Sequence, residues 1–163
     1  MADVFDPTID TSTQARATGY SKDRHVFYTS DHKIIVTYQD GAGIKARMSD
    51  DGGESWTNLA GSAGETTITS DTGYEWSGYL DSDDNLHITF ADSSDDIKYV
   101  EVSRSGNTWN VGTIRTVNTG TGALPSVVVI GSNIYVAWIE TDTYKDVTVK
   151  LSSNAGVDWS SAT

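Results

Sequence analysis

The sequence predicts an all-β fold of three repeated four-stranded antiparallel units, and three observations support this. Short β-branched and aromatic runs alternate with turns rich in Gly, Ser, Asp and Asn, which is typical of many short strands. A tryptophan-containing turn recurs at Trp56, Trp109 and Trp159. Similar strand-like runs precede each of these turns in the same order. A period of about 50 residues indicates a repeat architecture.

Composition limits the classes of function. The chain has 163 residues, of which 37% are hydrophobic, enough for one domain with a core. It has no cysteine, which excludes disulfides, thiolate metal sites and a cysteine nucleophile. A net charge of −12 opposes binding to nucleic acids and anionic membranes. We expect no cofactor, no metal, no membrane-spanning segment and no signal peptide in this chain.

The recurring turns read SDDGGESW, SRSGNTW and SSNAGVDW. We expect Asp51 to accept hydrogen bonds from the amides of its own turn, Gly53 to adopt a backbone conformation closed to bulkier residues, and Trp56 to pack on its unit. A calcium loop would need more oxygen ligands, and a phosphate loop would need a lysine and a following helix. The shared turn positions are Ser49, Asp51, Gly53, Trp56; Ser103, Gly106, Trp109; and Ser152, Asn154, Gly156, Trp159.

The strands of each unit can be assigned from the runs around these turns. Inner strands are expected in HVFYT, SGYL and SVVVI, second strands in IIVTYQD, LHITFAD and IYVAWIE, and third strands in IKARMS, KYVEVS and VTVKLS. Outer strands are expected after the tryptophan, in WTNLAGS and WNVGTIRTV. The units then span about 14–67, 68–119 and 120–163 of a single domain, 1–163. Residues 1–13 are expected to supply the outer strand of a closing unit.

Four-stranded units of this size arranged around an axis are the blades of a β-propeller. A β-sandwich of about twelve strands is the alternative, which the internal repeat disfavours. The turns resemble Asp-boxes, the Ser-x-Asp-x-Gly-x-Thr-Trp motif of bacterial neuraminidase (BNR) repeats in sialidase-like propellers. Asn154 and Asp158 depart from that motif, and the middle copy is degenerate. The resemblance implies a ring of six blades.

Three blades would leave two sheet faces and a strand edge bare, and such surfaces drive association. We therefore expect a homodimer, in which two chains form the six-bladed ring by exchanging their N-terminal strands. A fragment of a longer propeller and a trimer with more blades remain alternatives.

The resemblance also implies a ligand face at the mouth of the ring, where loops precede the inner strands and join second to third strands. Aromatic faces and acidic acceptors in these loops suit a sugar. Alternatively, the aromatic residues pack between blades and the acids end solvated loops. The candidate ligand-binding residues are Tyr20, Arg24, Tyr74, Glu75, Trp76, Asp40, Asp92 and Glu140.

Sialidase activity is not expected. It would need three arginines around one carboxylate, whereas only Arg24 and Arg16 can be placed near the mouth, and the family's Arg-Ile-Pro signature is absent. The sequence favours a glycan-binding, lectin-like propeller without catalysis. A receptor-binding part of a microbial surface protein, extracellular or virion-associated, would fit. The alternatives are a self-assembling scaffold and a glycoside hydrolase or its remnant.

Overall fold

A computed structural model of the chain describes residues 8–14, 17–18, 24–73, 75–142 and 146–161. These residues form three antiparallel sheets. No helix within these ranges is long and apolar enough to cross a lipid bilayer. The all-β prediction is confirmed.

Each sheet is built from strands that follow one another along the chain. Sheet 1 has the order β1 (Val26–Tyr28), β2 (Ile34–Gln39), β3 (Ile44–Ser49), β4 (Thr66–Thr69). Sheet 2 contains β5 (Glu75–Leu80), β6 (Leu86–Ala91), β7 (Ile97–Ser105), β8 (Thr108–Val111) and β9 (Arg115–Asn118), with both β8 and β9 pairing with β7. Sheet 3 contains β10 (Gly122–Ile130), β11 (Asn133–Glu140) and β12 (Val147–Ser152).

The outer strand of sheet 1 lies further along the chain than the segment WTNLAGS in which it is predicted. After Trp56, only Thr57 pairs with β3, through an isolated bridge to Met48. The side chain of Asn58 then accepts hydrogen bonds from the amides of Ala60 and Ser62, at 2.9 and 3.0 Å, and this turns the chain away from the sheet. The strand itself forms at Thr66–Thr69, across the expected boundary between residues 67 and 68.

Sheets 1 and 2 pack face to face through an apolar core. Alternate residues of a strand point to opposite faces, so β2 directs Ile35 and Thr37 toward sheet 2. The ring of Phe27 fills the space above Gly78, where an added Cβ would lie 2.4 Å from the Phe27 Cζ atom. Glycine therefore allows the inner strands to approach closely. Leu59 and Trp109 continue this core to the outer strands.

Sheets 2 and 3 enclose a second core, which contains Tyr99, Val136 and Trp138. Close approach at the inner strand again depends on a glycine, because a Cβ at Gly122 would lie 2.5 Å from the Ile97 side chain. Trp138 occupies the position that Phe90 has in sheet 2 and Tyr38 has in sheet 1, as the repeated strands predict. All three rings are buried.

The N-terminal segment does not form a strand in its described part. Residues 8–14 lie against sheet 1, where the Tyr38 hydroxyl donates to Asp10 Oδ2 at 2.5 Å and Arg47 donates to the carbonyl of Ile9 at 2.8 Å. The hydroxyl of Ser12 donates to the Gln39 carbonyl at 2.6 Å. These contacts place the segment on the face of sheet 1 that points away from sheet 2. The expected strand exchange stays a prediction.

The first and third tryptophan turns share one hydrogen-bond pattern. The hydroxyl of the leading serine accepts the amide of the glycine four residues later, at 2.8 Å for Gly53 and 2.9 Å for Gly156. Asp51 Oδ1 accepts the amide of Ser55, and Asn154 Oδ1 accepts the amide of Asp158, both at 2.9 Å. The hydrogen bonds from the Ser55 hydroxyl and amide hold the pKa of Asp51 below its usual range.

The middle turn differs from the other two. Ser103 and Trp109 belong to β7 and β8, which continue through a tight hairpin at Gly106, whose φ of 62° is left-handed. Trp109 donates its indole N–H to the Asp84 carbonyl at 2.6 Å. The degenerate sequence of this copy thus accompanies a different structure, in which the tryptophan fills the contact between sheets 1 and 2.

Candidate ligand-binding site

Trp76 cannot serve as a platform for a ligand at the predicted mouth. Its side chain is 0% exposed and lies between sheets 1 and 2. The indole N–H donates to Thr37 Oγ1 at 3.1 Å, and the ring packs on His25 with centroids 4.5 Å apart. The proposed sugar-stacking role is therefore wrong for Trp76. The alternative, packing between blades, is what the structure shows.

The other residues of the first loop set have mixed outcomes. Tyr20 and Tyr74 lie outside the described residues. Arg24 is exposed, with its guanidinium 5.9 Å from the centroid of the Phe27 ring. Glu75 accepts the amide of Leu124 at 2.7 Å, at an irregularity in β10 where Leu124 has a φ of 53°. Glu75 therefore stabilises the neighbouring inner strand.

The acids that end the second strands are engaged in their own loops. Asp40 accepts the amide of Ala42 at 2.8 Å and pairs with Lys45 at 3.6 Å. Asp92 accepts two loop amides, those of Ser94 and Asp96, and pairs with a lysine at 3.3 Å.

Glu140, the acid at the end of the second strand of sheet 3, also forms hydrogen bonds within the fold. Its carboxylate accepts the indole N–H of Trp138 at 2.7 Å and the hydroxyl of Thr121 at 3.1 Å. Among the described residues, no three acidic or histidine side chains come together as a metal site. Asp40, Asp92 and Glu140 therefore form structural contacts, and their role in ligand binding stays a prediction.

A different concave site lies between the outer part of sheet 2 and the third tryptophan turn. This cleft has a volume of about 250 Å³. Strand β7 forms its floor, and Ala155 and Val157 of the turn form the opposite wall. We call it the outer cleft; its lining residues are Tyr99, Glu101, Ser103, Gly112, Thr113, Arg115, Ala155 and Val157.

Two charged residues of the outer cleft retain free hydrogen-bonding capacity. Glu101 and Tyr99 are two residues apart on β7, and Arg115 is paired with Tyr99 across β9, so all three point to one face. Within the described ranges, neither the Glu101 carboxylate nor the Arg115 guanidinium forms a hydrogen bond or an ion pair. The cleft thus contains one hydrogen-bond acceptor, the Glu101 carboxylate, and one group with several donors, the Arg115 guanidinium, that the fold does not use.

A buried relay holds the floor of the cleft. Tyr99 and the imidazole of His87 are joined at 2.7 Å through Nδ1, and His87 Nε2 lies 3.1 Å from Asp81 Oδ2. In the neutral imidazole, Nε2 carries the proton, because a carboxylate only accepts, and the Tyr99 hydroxyl then donates to Nδ1. Burial raises the pKa of Tyr99 well above its usual value, with a further contribution from the Glu101 and Asp81 carboxylates. The hydroxyl therefore stays protonated.

The third turn approaches this floor closely because of a glycine. A Cβ at Gly156 would lie 2.6 Å from the Tyr99 ring, and Gly156 has a left-handed φ of 79°. Trp159 packs edge-on against the same ring, with centroids 5.6 Å apart. The turn therefore fixes the position of Tyr99 from one side, while His87 fixes it from the other.

Sequence reasoning missed the outer cleft, although one signal was present. Glu101 on β7 occupies the position that the buried Met48 has on β3. Because the first unit has a buried methionine at this position, a carboxylate here indicates that the space between sheets 2 and 3 is polar. The candidate residues were instead placed in the loops at the mouth, and the third tryptophan turn was assigned only a structural role.

No protein-family model and no curated protein matches the sequence. Solved structures match at low identity. An exo-β-1,3-galactanase from Phanerochaete chrysosporium aligns with a TM-score of 0.60 and 14% identity, over 85% of this chain and 34% of its own. A protein of unknown function from Dyadobacter fermentans aligns with a TM-score of 0.61 and 12% identity, over 85% and 49%. An α-L-arabinofuranosidase from Clostridium thermocellum aligns with a TM-score of 0.53 and 11% identity, over 85% and 49%.

The glycoside hydrolases among these neighbours are five-bladed β-propellers. At such identities the likeness shows the fold alone, so the three sheets of this chain follow the β-propeller arrangement. The chain spans from about a third to a half of the length of these structures. The number of sheets in a closed ring remains a prediction.

Proposed function

We propose that this chain is a carbohydrate-binding β-propeller module that holds a neutral sugar in the outer cleft without hydrolysing it. One observation carries the proposal. Glu101 and Arg115 point into a cleft of about 250 Å³ and have no bonding partner within the described part of the chain. Polar groups that the fold leaves unused in a concave site are those a ligand can satisfy.

The chemistry of the cleft suits a sugar with adjacent hydroxyl groups. The Glu101 carboxylate can accept from two hydroxyls, and the planar guanidinium of Arg115 can donate to two oxygens. Ala155 and Val157 offer an apolar wall for the C–H groups of the ring. A volume of about 250 Å³ lies below that of pockets for drug-sized ligands and suits one sugar ring.

The absence of hydrolysis in this proposal follows from the composition of the cleft. Glycosidases that act through two carboxylates place them about 5 to 9.5 Å apart, on either side of the bond that is cleaved. Among the lining residues, Glu101 is the one carboxylate, and its charged neighbour is Arg115. That combination favours binding.

Binding can be tested on a glycan array, followed by titration calorimetry with the best ligand. We expect Glu101→Gln and Arg115→Gln each to weaken binding roughly tenfold or more, because each removes a charge-assisted hydrogen bond. Glu54→Gln, which changes an exposed glutamate on the first turn, is the matched control and should bind like the wild type. Wild-type affinity in both cleft variants would overturn the assignment of the site.

A glycoside hydrolase is the second candidate, favoured by the exo-β-1,3-galactanase and α-L-arabinofuranosidase among the structural neighbours. Incubation with fluorogenic galactosides and arabinofuranosides tests it directly. Turnover that Glu101→Gln abolishes would replace the binding proposal with this one. Binding without turnover would support the module proposed above.

A further inference from the structure

The face of each sheet that points toward the next sheet is covered in sheets 1 and 2 but open in sheet 3. On the second strands, this face begins with Ile35 in sheet 1 and His87 in sheet 2, and both are buried. The equivalent residue of sheet 3, Tyr135, is partly exposed. On the same face, Ile130 is 64% exposed and Val147 is 70% exposed.

The opposite face of sheet 1 is open at its inner strand, β1. Tyr28 and Val26 of β1 are 63% and 59% exposed. In the repeat, Tyr28 corresponds to Leu80 of sheet 2 and Val129 of sheet 3, which are both packed against the core next to them. Sheet 1 therefore presents residues that its two equivalents bury against a preceding sheet.

These two open faces are the two halves of one contact that occurs twice within the chain. The contact of sheet 1 with sheet 2, and of sheet 2 with sheet 3, always joins the same two strand faces. We propose that sheet 3 of one chain docks on sheet 1 of a second copy, head to tail, and that a two-fold axis repeats the contact. The partner surface is thus a second copy of this chain.

The N-terminal segment leaves room for this contact at one end of sheet 1. Residues 8–14 cover β2 near Tyr38, at the end of the strand that is remote from the β1–β2 turn. Val26 and Tyr28 remain exposed. Sheet 3 of the second copy therefore packs on β1 and lies beside residues 8–14. Within that segment, Asp10 stays bound to Tyr38 and Arg47.

Association can be measured by sedimentation equilibrium from about 1 to 100 μM. We expect a mass near twice the 17.6 kDa of one chain. Because each copy carries a net charge of −12, added salt should screen their repulsion and strengthen the dimer.

Aspartate substitutions locate the contact. Val147→Asp on sheet 3 and Val26→Asp on sheet 1 should each raise the dissociation constant roughly 100-fold or more, because each buries a charge in an apolar contact. Both sites are exposed within one chain, so the fold should survive, which circular dichroism verifies. Ile114→Asp, at an apolar residue that is 41% exposed and lies on neither face, is the control and should leave the dimer intact.

Two outcomes would overturn the proposal. A wild-type chain that stays monomeric up to 100 μM has no such contact. A dimer that Val147→Asp dissociates and Val26→Asp leaves intact joins two copies of sheet 3 to each other, which is a different interface.

Discussion

The contact between sheets 1 and 2 and the contact between sheets 2 and 3 use the same strand faces, yet they differ in chemistry. The first has an apolar core that Leu59 and Trp109 continue as far as the outer strands, with an ion pair between Asp31 and Arg104 at its edge. The second is apolar only near the inner strands; beyond Tyr99 it becomes the outer cleft. A repeated fold can therefore keep one contact for stability while another gains unused polar groups.

The polar relay in the second contact makes this difference sharper. In the first contact, Trp76 forms one hydrogen bond and buries its whole ring. In the second, Asp81, His87 and Tyr99 form a chain of hydrogen bonds, and Tyr99 lines the outer cleft. We expect substitutions in the first contact to affect mainly stability, and those around the cleft to affect mainly binding.

Trp76→Ala should have the largest effect on stability. Removing a fully buried aromatic ring is expected to cost about 3–5 kcal/mol in the free energy of unfolding. Urea denaturation followed by circular dichroism measures this, with Trp76→Phe as a milder control. A loss below about 1 kcal/mol would mean that the first contact is not the main stabilising one.

Tyr99→Phe should have an intermediate effect. It leaves His87 Nδ1 buried without its donor, which is expected to cost about 1–3 kcal/mol. Tyr79→Phe is the matched control, because no hydrogen bond to the Tyr79 hydroxyl is present within the described residues, and it should be nearly neutral. Equal losses in both variants would argue against the relay.

Acid should weaken the first contact through Asp31, whose side chain is 2.7 Å from Arg104 of sheet 2. Hydrogen bonds from Lys33 and Thr29 lower the pKa of Asp31 from 3.8 to about 2. Its contribution to stability is therefore complete above about pH 4 and lost as the pH falls through about 2. Asp31→Asn should melt below the wild type at pH 7, and the difference should close near pH 2. A constant difference in melting temperature would exclude this ionisation.

Asp51→Asn should have the smallest effect, because it copies the third turn, where Asn154 accepts the equivalent amide. We expect no measurable change in melting temperature, whereas Asp51→Ala should lower it by removing the acceptor. Thermal denaturation of the three proteins in parallel tests this. A clear loss in Asp51→Asn would show that the charge of Asp51 matters.

The strand order could be predicted because each strand carries its own local signal. The repeated aromatic positions of Tyr38, Phe90 and Trp138 were expected in one register, and all three are buried on equivalent faces. Turn residues such as Gly53 and Asn154 also act within a few residues of their own position, so their sequence is informative.

The candidate site could not be predicted as well, because burial depends on sheets that are distant in sequence. Trp76 is covered by His25 and Thr37 of sheet 1, which its own neighbours in sequence do not reveal. Glu101 lines a cleft because the third turn places Ala155 and Val157 on the opposite side of it. The sequence also does not show that the acids at the mouth bind amides and lysines of their own loops.

Gly78 and Gly122 determine where a cleft can form. Each lets a side chain of the adjoining sheet reach the inner strand, at positions where a Cβ would lie 2.4 and 2.5 Å from that side chain. Neighbouring sheets that are close together at their inner strands move apart toward their outer strands. The space between two such sheets is therefore a wedge that is widest at the outer strands. Large residues such as Leu59 and Trp109 close one wedge, and small ones leave the other open. Substituting these outer residues is thus a route by which repeated sheets acquire new binding sites without changing their inner packing.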